Sequence, residues 1–191
     1  RADYIARFID TEPELTFDDE ASAFFPETGF GRFRSSWDSE AVWLLLQSEH
    51  GDMHTNGRAH EHPDANSLIM HAYGELLLLD SGYAGWSERE ATKYAENHNT
   101  VLVNGEGPPA SSQAFWGGLW SIGGSGAVMS DCFASDALDY ARSAAVYANT
   151  EFVRHVVFPG GRYFIIYDTL LGVGESEYTL LLHGNGGGSS G

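Results

Sequence analysis

From Phe24 onward the chain is a succession of short apolar runs, each cut off by Gly, Pro, Asn or Asp. That punctuation leaves no room for a sustained helical period, and short runs bounded by turn residues are the signature of strands. The candidate strands are 41–48, 67–72, 76–80, 100–103, 126–135, 140–148, 152–158, 163–169 and 178–183. Tyr73-Gly74, Asn104-Gly105 and Pro159-Gly160-Gly161 fall between consecutive runs and suit hairpin turns. Many short strands joined in sequence imply an all-β fold, an antiparallel β-sandwich. Burial is expected for Val42–Leu46, Leu76–Leu79, Val156–Phe158 and Phe164–Ile166.

The first residues read differently. Asp3 to Ile9 fit a short helix, and Thr11 to Glu20 are acidic and contain Pro13, as linkers do. The expected organisation is therefore a helical remnant with an acidic linker over residues 1–23, then the β-sandwich over 24–191. The chain opens with Arg1 and closes in the Gly/Ser-rich stretch 184–191. It is expected to be a piece of a longer protein, and to lack activity by itself.

A formal net charge of −17 makes nucleic acid or an anionic membrane an unsuitable partner. Lys93 is the one lysine, so the remaining cations are arginines, which favour planar recognition of carboxylates. Cys132 stands alone, which excludes an internal disulfide. No apolar run is long enough to insert across a bilayer.

The densest cluster of chemically able side chains is His54-Thr55-Asn56-Gly57-Arg58-Ala59-His60-Glu61-His62-Pro63-Asp64-Ala65-Asn66-Ser67. In extended backbone, residues two apart share a face, so His60 and His62 project together. Asp80 ends an apolar run and His98 begins another. Two imidazoles and a carboxylate suit Zn2+, with a water or a fourth protein group completing the shell. Taken alone, the pair is equally compatible with polar loop residues, and Asp80 with a turn cap.

The order His60-x-His62-x-Asp64-x-x-Ser67, Tyr73-Gly74, Leu79-Asp80-Ser81-Gly82 and His98-Asn99-Thr100-Val101 resembles the signature of the heparinase II/III-like polysaccharide lyases. Gly29-Phe30 and Arg34-Ser35-Ser36-Trp37 resemble the opening of that family's β domain, and the likeness runs from about Phe25 to His183. The resemblance implies an upstream (α/α) toroid absent from this chain, an acidic polysaccharide substrate such as heparan sulfate, heparin or alginate, and a bacterial periplasmic or secreted setting. It puts zinc on His62, Asp80 and His98, and turns His60 toward the substrate, with Arg58 as a further substrate-binding group. Where the family often has a glutamine after this last histidine, the sequence reads Val103-Asn104-Gly105-Glu106-Gly107-Pro108-Pro109.

The residue types suit β-elimination. The proton alpha to a uronate carboxylate becomes acidic only when the carboxylate charge is neutralised, a task for a protonated His or an Arg. The base itself is expected in the toroid. Two other classes compete. A cupin-type metal oxygenase also uses His-x-His, but Asn66 and Ser67 stand where its glutamate belongs. A non-catalytic carbohydrate-binding module with structural zinc would keep its sugar affinity after loss of His60. Trp86, Trp116 and Trp120 are candidates for sugar stacking, although packing is the commoner use of such rings. Arg142 and Arg154 are expected to be paired on a sheet face, His71 to be a satisfied core residue, and Asp64 and Asn66 to orient a ligand histidine.

Overall fold

The computed structural model describes residues 21–48, 62–82, 92–109 and 126–186. The helical remnant and linker lie outside these residues, apart from the last few linker positions. Eleven strands are found among them: β1 (Ala23–Phe25), β2 (Phe30–Arg34), β3 (Trp43–Gln47), β4 (Ser67–Ala72), β5 (Glu75–Leu78), β6 (Val101–Val103), β7 (Val128–Phe133), β8 (Leu138–Tyr147), β9 (Thr150–Pro159), β10 (Ile165–Gly172) and β11 (Tyr178–Leu180). Every strand pair is antiparallel.

One layer is the sheet β10-β9-β8-β7. The facing layer comprises the five-stranded meander β1-β2-β3-β4-β5 and the pair β11-β6. The two layers enclose a core in two parts. Phe33, Leu44, Leu46 and Leu68 of the meander meet Met129, Ala141, Val156 and Phe158. Val101 and Val103 of β6, with Ala65, meet Ala127, Ala145, Tyr147 and Phe152. Each strand contributes alternate residues because successive side chains point to opposite faces. The expected burial is therefore realised in phase: Leu44, Leu46, Val156 and Phe158 are buried, whereas Ile165 is exposed.

The turns follow from backbone chemistry. Tyr73 and Gly74 both have positive φ and link β4 to β5; Asn104-Gly105 does the same after β6. Two positive φ values in a two-residue loop match the twist of the flanking strands, and Gly or Asn adopts them at little cost. A third such loop, Ala148-Asn149, joins β8 to β9. Its Ala has no intrinsic preference for that conformation, so the sequence alone gives weak notice of it. Gly160 and Gly161, also at positive φ, turn β9 toward β10.

Tyr147 is buried in the second part of the core, and its hydroxyl donates to the carbonyl of Val101 at 2.5 Å. Burial raises its pKa well above the ordinary value of 10.0. The native state therefore favours the neutral phenol. The associated stability is present in full below about pH 10, the unfolded phenol value, and is lost as pH rises through the native one. Urea unfolding followed from pH 7 to 11.5 should show a decline above about pH 10 that is shallower in Tyr147→Phe. Identical alkaline limbs in the two proteins would remove Tyr147 from this role.

Candidate metal centre

His62 stands in the segment that leads into β4. Pro63 favours extended backbone before it. The amide of Ser67 donates to the carbonyl of Asp64 at 2.9 Å, and Asn66 takes a φ of 59°, so the chain bends tightly before the strand starts. Asp64 is buried, and its Oδ2 accepts from Gln47 Nε2 at 2.7 Å.

Asp80 follows β5. Its Oδ1 accepts from the amide of Gly82 at 2.8 Å, and its Oδ2 lies 2.7 Å from His98 Nδ1. His98 follows the 3-10 turn Ala95–Asn97, to which its amide is bonded, and is completely buried. Its Nε2 is buried with no hydrogen-bond partner among the described residues. A buried imidazole nitrogen left without a partner is costly unless something else engages it.

The structure brings His62 and His98 together, with ring centroids 5.1 Å apart. One donor atom each from His62, Asp64 and His98 lies within 4.8 Å of the others. Asp64, read from sequence as an orienting group, thus stands among the potential ligands, while Asp80 meets the site through His98. Burial and the neighbouring His98 hold the His62 pKa below its ordinary value, against the pull of Asp80. Burial alone would raise the Asp80 pKa, but the hydrogen bonds from His98 and Gly82 and the charges of both histidines bring it below the usual range. Neutral imidazole beside ionised carboxylate is the protonation pattern that a divalent cation requires. Two imidazoles and the Asp64 carboxylate, with the Asp80 carboxylate held against His98, are donor types that fit zinc. His60 and Arg58 lie outside the described residues, as do Trp86, Trp116 and Trp120.

A buried polar node behind these groups is less visible in sequence. Arg154 is fully buried and forms a bidentate pair with Asp168, Nε to Oδ1 at 2.9 Å and Nη2 to Oδ2 at 2.7 Å. Its Nη1 donates to the carbonyls of Asn66 at 2.6 Å and Asn99 at 2.9 Å. The expected pairing is correct, but Arg154 faces the interior. The available signal was phase: Arg154 alternates with Phe152, Val156 and Phe158 on the buried side of β9. Arg142 instead donates to Ser130 Oγ, and His71 bonds the carbonyl of Ala41 while stacking on Trp43.

Comparison with known proteins agrees with this architecture. Residues 18–187 match the family model described as heparinase II/III-like, C-terminal. No curated protein matches the sequence significantly. Among solved structures, a heparinase III is similar with a TM-score of 0.70 at 20% identity, over 91% of this chain and 27% of that one. Heparan sulfate lyase from Pedobacter heparinus gives 0.67 at 19%, over 89% of this chain and 26% of the other. Another heparinase III structure gives 0.60 at 16%, over 79% and 22%. The chain thus spans about a quarter of the length of these structures. With the family model covering most of its length, this chain belongs to the heparinase II/III-like family, in its C-terminal part.

Proposed function

We propose that this domain serves a polysaccharide lyase that cleaves uronic-acid polysaccharides by β-elimination, and that it holds zinc through His62, Asp80 and His98, with Asp64 in reach as a fourth donor. Family membership is the observation that carries the lyase reading. Similar solved structures bear the names heparinase III and heparan sulfate lyase, which favours a glycosaminoglycan over other uronates as substrate. A polysaccharide substrate and a base-bearing helical domain are the partners this reading requires, and the periplasm or the cell exterior is where such a polymer is met.

Bound zinc would supply a fixed cross-link among the three segments carrying its ligands. The chain's own contribution to the reaction is His60, two residues before His62. In this reading it binds the uronate carboxylate and neutralises its charge, with Arg58 as a further substrate-binding group. Withdrawal of that charge acidifies the alpha proton. A base outside this chain removes the proton, and the 4-linked sugar oxygen leaves as the double bond forms.

Two substitutions separate the roles. His62→Ala should lower zinc content, measured by elemental analysis, and lower the thermal midpoint as well. Full zinc occupancy in that variant would exclude His62 as a ligand. His60→Ala, made in the full-length protein, should keep its zinc and lose about 10²–10⁴-fold in turnover, followed by absorbance of the unsaturated uronate product. Unchanged turnover would leave His60 a neighbour of the site without a part in the chemistry.

A further inference from the structure

The three segments that carry the candidate ligands are separate in sequence, and a single residue, itself in one of them, bonds the other two. Asn99 is fully buried next to His98. Its Nδ2 donates to the carbonyl of Leu68 at 2.6 Å and to that of Leu79 at 2.8 Å, the residue before Asp80. Its Oδ1 accepts from the amide of His183 at 2.6 Å. Its own amide donates to Ser67 Oγ at 3.2 Å, and its carbonyl accepts from Arg154 Nη1. The carboxamide thus spends both kinds of hydrogen-bonding capacity on backbone, with two donors aimed at carbonyls and an acceptor aimed at an amide.

We propose that Asn99 is the positioning residue of the metal site, its buried carboxamide setting the spacing of the segments that bear His62, Asp80 and His98. This rests on the zinc reading above. The side chain is not itself a ligand, its carboxamide being engaged with backbone. It acts through backbone: Leu79 fixes where Asp80 starts, Ser67 and Leu68 fix the end of the His62–Asp64 segment, and the peptide of Asn99 itself carries His98. Thr100 reinforces the arrangement through its Oγ1 bond to the carbonyl of Ala65 at 2.8 Å. Aspartate cannot substitute, because an oxygen would then face the two carbonyls. Alanine leaves both carbonyls without their donor.

The test is titration of the full chain with Co(II), read by visible absorption, alongside thermal unfolding without metal. Asn99→Ala should bind Co(II) about 10–100-fold more weakly than wild type and show an altered spectrum at saturation. Val156→Ala, a cavity variant in the apolar core that removes no hydrogen bond of the node, serves as the stability control and should keep wild-type affinity and spectrum. Ser67→Ala is a milder cut that retains the carboxamide; it should fold and bind several-fold more weakly, and it carries the test if Asn99→Ala does not fold. Wild-type affinity and spectrum in the Asn99 and Ser67 variants would overturn the proposal, as would an equal loss in Val156→Ala. Absence of Co(II) binding by wild type would instead overturn the zinc reading and this inference with it.

Discussion

The buried guanidinium of Arg154 is the interaction on which the arrangement of this domain depends. A charge placed in the interior of a sandwich must be neutralised and its donors filled, or its desolvation outweighs what packing returns. Asp168 on the neighbouring strand β10 supplies the charge, and two backbone carbonyls take a further donor. Those carbonyls belong to Asn66 and Asn99, in the segments that bring His62 and His98 to the same place. One side chain of the β7–β10 layer therefore fixes two loops of the opposite layer. Removing one partner of such a pair typically costs about 3–5 kcal/mol, so the node is a point of both specificity and vulnerability.

Around it, polar groups are satisfied in sequence. Asn66 donates to the carbonyls of Ser143 and Phe152, and the hydroxyl of Ser143 bonds its Oδ1. Its left-handed backbone conformation, tolerated by Asn better than by most residues, gives the bend that precedes β4. This explains why so many buried polar residues stand beside an apolar core: Asn66, Ser67, His98, Asn99, Thr100, Ser143 and Arg154 form the joint between layers. Against this filled network, the Nε2 of His98, without a partner among the described residues, stands out.

The electrostatics of the site follow from the same burial. Removing His62 from water disfavours its charged form, and a second imidazole nearby adds to the effect. Asp80 keeps its charge because a ring nitrogen and an amide solvate it in place of water. Both trends leave ligand-competent protonation states near neutrality. The outer face of the β7–β10 sheet is another matter. There Phe133, Tyr140, His155 and Tyr167 form a row of stacked and tilted rings across the four strands, with Tyr140 bonded to His155 at 2.8 Å. That row takes no part in the node or the site.

Local pattern carried much of the fold. Turn dipeptides fix tight reversals through backbone sterics: Tyr73-Gly74 closes the β4–β5 hairpin, Asn104-Gly105 folds the chain back onto a single bridge after β6, and strand β4 falls on residues 67–72 as its run implies. The short strands β1 and β2 were less legible, because Gly29 and Gly31 interrupt their apolar pattern. The histidines and aspartates that could bind a metal were legible as residue types, and their order was legible as a family signature. Their mutual placement was not. Which of Asp64 and Asp80 stands nearest His62, and that Arg154 turns inward to hold the loops of Asn66 and Asn99, depend on contacts between residues far apart in the chain. Local propensity and period act within one segment, whereas these distances arise only when two layers pack and every buried donor finds its acceptor.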